Sequence, residues 1–89
     1  MVKLQDNLII KFRTEEEWNR ILKLLNNSGN SNYNYQRFRN SYKDGDLQIL
    51  TRNRQINGFG TSKTYINDSS YENFQFIDIK QINKIIEIW

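Results

Sequence analysis

The chain has 89 residues, a formal net charge of +3, and neither cysteine nor histidine. A length of this order is typical of a single domain with one core, and no apolar run approaches the roughly 20 residues that a membrane-spanning helix needs. Without cysteine there are no disulfides or thiolate nucleophiles, and without histidine the commonest general base and metal ligand is missing. We therefore expect one domain over residues 1–89 with no enzymatic activity, metal or cofactor.

Residues 7–13 predict a first strand, because apolar and polar side chains alternate along much of this segment. The strand leads directly into a helix, which we expect to span residues 14–27. Thr14 and Glu17 have the spacing of a capping box at its start, and Gly29 follows its end. The apolar residues of the helix recur on one stripe, which we expect to face the core, with Leu24 at its edge: Trp18, Ile21, Leu22 and Leu25.

Residues 30–43 show no lasting hydrophobic period and predict a long loop, with a short strand across Tyr33 and Tyr35 as an option. Long loops inside compact domains are often functional. This loop interleaves aromatic with basic side chains, a mixture enriched at binding hot spots and on nucleic-acid stacking surfaces: Tyr33, Tyr35, Arg37, Phe38, Arg39, Tyr42 and Lys43. We predict a binding site here. The alternative is that Phe38 and one tyrosine pack beneath the loop while the arginines are solvated.

The second half of the chain alternates short apolar runs with turns. Residues 43–46 predict a turn, 47–52 a strand, and 53–55 a further turn. Strands are expected at 56–59 and 64–67, with a bulge or a tight reversal around Gly58 and Gly60, and a last strand at 73–77. From Asp78 we expect a cap and a short C-terminal helix, although the β-branched residues near the end would also suit a strand.

Together these elements predict an α+β fold. We expect a small antiparallel sheet of four to five strands, with the helix over residues 14–27 on one face and the short C-terminal helix beside it.

The two ends of the sequence bear on location and assembly. The first residues lack the pattern of a signal peptide, so we expect a cytoplasmic protein that does not associate with membranes. Trp89 closes the sequence with a large apolar side chain, which either folds back on the core of a monomer or is buried by a second subunit. We expect the monomer and keep the homodimer as the alternative.

Basic residues concentrate in the middle of the chain. Residues 37–63 hold six basic residues against Asp44 and Asp46, whereas the remainder holds seven basic and eight acidic residues. The predicted binding surface therefore extends from Tyr33 to Arg54 and includes Arg52 and Arg54. Asp44 and Asp46 lack the further ligands of a calcium-binding loop, so we predict no metal site.

Residues 58–64 contain glycines, hydroxyls and Lys63, like a phosphate-binding loop, but Lys63 stands three residues after Gly60 instead of directly after it. A hairpin turn is the main interpretation. The alternative is anion binding by exposed amides and Lys63.

The chain combines the opening strand, the run from Thr14 to Trp18 with the apolar stripe after it, the aromatic segment and the short strands. This layout resembles that of small accessory proteins of phages and prophages of AT-rich bacteria. Such proteins bind and disable host defence components, including CRISPR effectors, or redirect host machinery. The resemblance implies a non-enzymatic inhibitor of a host factor that acts by direct protein binding. The residues leave two alternatives open: a small nucleic-acid-binding protein that uses the same basic aromatic surface, and a nucleotide-binding protein that uses residues 58–64.

Overall fold

The computed structural model describes residues 4–25, 33–61 and 71–84, and for residues 82–84 it describes the backbone only. These residues form strands, α-helices and one 3-10 helix, in chain order: β1 Leu8–Phe12, α1 Glu15–Leu24, α2 Tyr35–Ser41, β2 Leu47–Arg52, β3 Gln55–Thr61, β4 Gln75–Asp78 and the 3-10 helix Ile79–Lys84. The predicted α+β class is confirmed.

The described strands form one four-stranded sheet in the order β3-β2-β1-β4. β2 pairs antiparallel with both β1 and β3, whereas β4 runs parallel to β1. The prediction of an antiparallel sheet is therefore wrong for β4, and the sheet is mixed. An alternating sequence indicates which side chains share a face of a sheet, but it carries no information about the direction of the neighbouring strand.

α1 begins with the predicted capping box. Thr14 Oγ1 accepts a hydrogen bond from the Glu17 amide at 3.1 Å, and Glu17 Oε1 accepts one from the Thr14 amide at 3.2 Å. These bonds satisfy amide groups that the first turn of a helix leaves without helical partners. α1 extends to Leu24, and the stop predicted at residues 26–29 lies outside the described residues.

One face of the sheet packs against both α-helices and holds the main core. Trp18, Ile21 and Leu25 of the predicted stripe are buried there. Leu24, expected at the edge of the stripe, is also buried, while Leu22 is only partly buried. Leu22 and Leu24 lie on opposite sides of the line through Ile21 and Leu25 in a helix with about 3.6 residues per turn, and the fold covers the Leu24 side more fully.

The segment predicted as a long loop contains α2, so both the loop and the optional strand across Tyr33 and Tyr35 are wrong for residues 35–41. The side-chain Oδ1 of Asn34 caps this helix by accepting a hydrogen bond from the Arg37 amide at 2.9 Å. Phe38 is the one buried residue of α2, and its side chain is 0% exposed. With a single buried residue, α2 shows no repeating apolar pattern in its sequence. A helix this short depends on tertiary packing for its stability.

The turn predicted at residues 53–55 is shorter than expected: Asn53 and Arg54 form it with left-handed φ values of 52° and 67°, and Gln55 already belongs to β3. β3 continues through both Gly58 and Gly60, so the reversal predicted there is wrong. The pairing register of β2 and β3 shifts once, which is the predicted alternative of a bulge. The strand expected at 64–67 lies outside the described residues.

The last described residues only partly match the prediction. Asp78 Oδ1 accepts a hydrogen bond from the Lys80 amide at 3.0 Å, so Asp78 caps the following segment. That segment is a 3-10 helix rather than the α-helix we predicted, and its isoleucines are β-branched residues that lower α-helical propensity. Trp89 lies outside the described residues, and the monomer stays a prediction. Among the described residues, no helix is long and apolar enough to cross a membrane.

Candidate binding surfaces

The residues of the single surface predicted from Tyr33 to Arg54 lie at separate places in the structure. α2 covers the helix-bearing face near the end of β1, since Arg39 on α2 donates a hydrogen bond to the carbonyl oxygen of Arg13. Arg54 instead binds Asp6, which precedes β1. Asp6 and Arg13 are separated by a stretch of mainly extended chain, on the order of 20 Å. Arg52 lies on the opposite face of the sheet, and Lys63 lies outside the described residues.

The first candidate surface surrounds Phe59 on β3. The rings of Tyr33 and Tyr42 both lie 6.3 Å from the ring of Phe59, at 79° and 78° to its plane. The Cζ atom of Arg37 lies 5.8 Å from the centre of the same ring. Both tyrosines and Phe59 are partly buried, and Arg37 is exposed. We call this group, with the exposed Lys43 that follows Tyr42, the α2 surface: Tyr33, Arg37, Tyr42, Lys43 and Phe59.

Phe59 was not predicted as a site residue. Phe59 stands between two glycines on an expected strand, and this position was the sequence feature that could have indicated its role. Its contact with Tyr33 could not be predicted, because the two residues are far apart along the chain. Phe38 was predicted for the site and lies in the core instead. Its ring packs against Phe12, Trp18 and Phe59 at centroid distances of 5.8, 4.8 and 4.8 Å. Phe38 therefore packs beneath the segment, as one part of the alternative had it, but Arg39 is hydrogen-bonded instead of simply solvated.

Arg39 and Tyr35 of the predicted site hold α2 in place. Arg39 donates from Nε to the Tyr35 hydroxyl at 2.9 Å and from Nη1 to the Gly45 carbonyl oxygen at 2.9 Å and the Tyr42 carbonyl oxygen at 3.4 Å. Its Nη2 and the Tyr35 hydroxyl both donate to the carbonyl oxygen of Arg13. Because one guanidinium joins α2, the turn before β2 and the end of β1, this group fixes the position of the α2 surface.

The second candidate surface lies on the face of the sheet opposite the α-helices, and the sequence did not reveal it. The Cζ atom of Arg52 lies 5.1 Å from the ring centre of Phe74 and 5.9 Å from that of Tyr71. Phe76 on β4 is 46% exposed and pairs in register with Ile9. We call this group the Arg52 patch: Arg52, Tyr71, Phe74 and Phe76. The sequence feature that could have indicated an exposed Phe76 was its place beside Ile77 in the predicted strand, where neighbouring side chains point to opposite faces.

Arg54 has a local role at the turn. Its Nε lies 2.7 Å from Asp6 Oδ1, and its amide donates to the Asp6 carbonyl oxygen at 2.9 Å. The guanidinium and the carboxylate are both more than half exposed, and exposed pairs of this kind contribute about 0–1 kcal/mol. Arg54 therefore ties the segment before β1 to the hairpin turn and does not adjoin the α2 surface.

Charged residues near the end of β1 form ion pairs with Asp46. Asp46 Oδ2 lies 3.2 Å from Lys11 Nζ, and Asp46 Oδ1 lies 2.8 Å from Arg13 Nε, although without the alignment of a hydrogen bond. Gln48 is buried nearby in register with Lys11, and neither polar atom of its side chain has a partner. Across residues 4–25, 33–61 and 71–84, no three acidic residues are grouped as metal ligands would be.

Comparison with known proteins found no matching family model, no matching curated protein and no matching solved structure. The functional interpretation therefore depends on the geometry of the α2 surface and the Arg52 patch.

Proposed function

We propose that this chain is a non-enzymatic binding protein that inhibits a host factor by direct protein contact through the α2 surface. The observation that carries the proposal is the arrangement of Tyr33, Arg37 and Tyr42 around the ring of Phe59. Tyrosine and arginine are enriched among the residues that dominate interface energies. The resemblance to phage and prophage accessory proteins supplies the class of partner, a defence component such as a CRISPR effector in the host cytoplasm.

The α2 surface is held before any partner arrives. Phe38 anchors α2 to the core beneath it, and the hydrogen bonds of Arg39 fix its position from the side. Each tyrosine already packs against Phe59. Ordering a mobile side chain at an interface costs about 0.5–1.5 kcal/mol, so side chains that are already ordered leave more of their contact energy for binding.

Capture of partners from bacterial lysate tests this proposal, using the purified chain as bait with and without nuclease treatment. The informative variant is Arg37→Glu, which reverses an exposed charge on the α2 surface. Lys23→Glu is the matched control, because Lys23 is an exposed basic residue on the other α-helix, α1, and is not one of the residues of this surface. We expect a protein that survives nuclease treatment to bind the wild type and Lys23→Glu, and to bind Arg37→Glu at least tenfold less.

Two further results decide whether the captured protein is the target of inhibition. Its activity should fall when the wild-type chain is added and should not fall with Arg37→Glu. Capture that disappears with nuclease, or that is equal for both variants, would overturn the proposal. Circular dichroism of both variants must match the wild type, so that unfolding does not explain the loss.

A second candidate function, binding of single-stranded nucleic acid, is favoured by the Arg52 patch. On this face of the sheet the ring of Phe76 is exposed and Arg52 lies over the partly buried rings of Phe74 and Tyr71. These residue types suit base stacking and phosphate contact. Labelled single-stranded oligonucleotides and fluorescence anisotropy test it. Neutralising Z phosphates on a single strand gives a log–log salt slope of roughly −0.7Z, so three contacts predict about −2. A weak salt dependence would count against this function. For nucleotide binding, Gly58 and Gly60 lie inside β3, and no contact among the described residues favours it.

A further inference from the structure

β3 is an edge strand of the sheet, and among the described residues only β2 pairs with it. It spans seven residues, Gln55–Thr61, and contains neither a charged residue nor a proline. Charges and prolines are the usual means by which natural edge strands prevent pairing with another chain. Of such protective features β3 has only its bulge, and among the described residues none outside β2 pairs with its backbone from Gln55 to Gly60.

The register of β3 directs the backbone of Phe59 to that edge. The two-residue turn at 53–54 makes Arg52 and Gln55 a hydrogen-bonded pair, and such pairs alternate with non-hydrogen-bonded pairs along an antiparallel ladder. When the alternation is followed along β2 from Arg52 and the bulge is allowed for, the pair of Ile49 with Phe59 is a non-hydrogen-bonded pair. The N–H and C=O groups of Phe59 therefore point away from β2. The side chain of Phe59 meanwhile lies at the centre of the α2 surface.

We propose that the edge of β3 and the α2 surface together bind an extended segment of the partner protein, which joins the sheet as a strand beside β3. The inference rests on the proposed function and deepens it by naming the form of the ligand. In this mode, main-chain hydrogen bonds supply affinity and alternate side chains supply specificity.

The residues around Phe59 determine the side chains that the segment carries. Every second side chain of the added strand faces α2, where it meets the rings of Tyr33, Phe59 and Tyr42 and the charge of Arg37. An aromatic or large aliphatic residue fits the rings, and an acidic residue two positions away complements Arg37. On the other face Gly58 and Gly60 carry no side chains, so selection there is weak.

The experiment uses a random library of twelve-residue peptides, selected on the immobilised full chain. The best peptide is then synthesised with N-methyl groups on alternate amides, in each of the two possible registers. One register blocks the N–H groups that face β3, and the other blocks those that face solvent. We expect affinity to fall at least tenfold in one register and less than twofold in the other. The amide of Phe59 should also exchange with deuterium more slowly in the complex.

A matched variant tests the contribution of the α2 surface. Arg37→Glu should lower the affinity of the selected peptide at least fivefold, and Lys23→Glu should leave it unchanged. The inference is overturned if no peptide is enriched, if both N-methyl registers weaken binding equally, or if the bound peptide is helical by isotope-edited NMR.

These outcomes are separate from those of the proposed function. If the captured host protein binds without competition from the peptide, the proposed function stands and the strand-addition mode fails. If the peptide binds in extended form but no nuclease-resistant host protein is captured, the strand-binding site at the edge of β3 exists and the proposed function fails.

Discussion

The ring of Phe38 stands edge-on to the ring of Trp18, with centroids 4.8 Å apart and planes at 87°. Trp18 belongs to α1 and Phe38 to α2, so this contact joins the two α-helices over one face of the sheet. Both side chains are buried. The position of the α2 surface therefore depends on an aromatic contact in the core beneath it.

The first prediction concerns this contact. Trp18→Ala should lower the free energy of unfolding by about 3–5 kcal/mol, because it removes a large buried side chain and leaves a cavity. Urea denaturation followed by circular dichroism measures the change. Lys23→Ala on the exposed side of α1 is the control and should alter stability by no more than about 0.5 kcal/mol. A melting temperature of Trp18→Ala within a few degrees of the wild type would mean that Trp18 is not a core residue.

The second prediction concerns Arg39. Arg39→Lys keeps the charge, but one ammonium group cannot join all the hydroxyl and carbonyl acceptors that the guanidinium joins, so we expect a loss of about 1–3 kcal/mol. Arg37→Lys is the matched control on the same helix and should change stability little, since the Arg37 side chain is exposed. Hydrogen exchange should become faster in α2 for Arg39→Lys alone. Equal stability of the two variants would show that Arg39 does not hold α2.

The third prediction concerns Phe76 and the second candidate function. Phe76→Ala should leave the fold intact, because Phe76 is nearly half exposed and belongs to neither buried cluster of the core. If the Arg52 patch stacks bases, the same change should weaken binding of a single-stranded oligonucleotide by about 1–3 kcal/mol. Anisotropy titrations of the wild type and the variant measure the difference. Binding of equal strength would exclude Phe76 from any nucleic-acid site.

The sequence predicts those helices and strands that have a clear pattern in their own residues. β1 and β2 have recognisable apolar patterns, and α1 has both a capping box and a stripe that includes Trp18 and Ile21, so each was expected in the right place. α2 was missed because Phe38 is its one buried residue, and a single anchor has no period. The direction of β4 was missed because parallel and antiparallel neighbours can have the same pattern of faces.

The candidate site was predicted less well than the fold, for a reason of geometry. Closeness along the chain placed Arg52 and Arg54 with Tyr33 and Arg37. In the structure, Arg52 faces away from α2 and contacts Phe74, while Arg54 binds Asp6 at the hairpin turn. Which residues meet in space depends on strand order and on which side of β2 a residue points, and neither can be read from local composition.

We propose that a protein partner contacts the α2 surface and not the basic residues elsewhere in the middle of the chain. The most direct measurement compares Arg37→Glu with Arg52→Glu in capture from nuclease-treated lysate. Each variant reverses one exposed arginine that lies over an aromatic ring, but on opposite faces of the sheet. We expect Arg37→Glu to bind the partner at least tenfold less and Arg52→Glu to bind it as the wild type does. Retention by Arg37→Glu together with loss by Arg52→Glu would contradict the account and place the binding site on the other face.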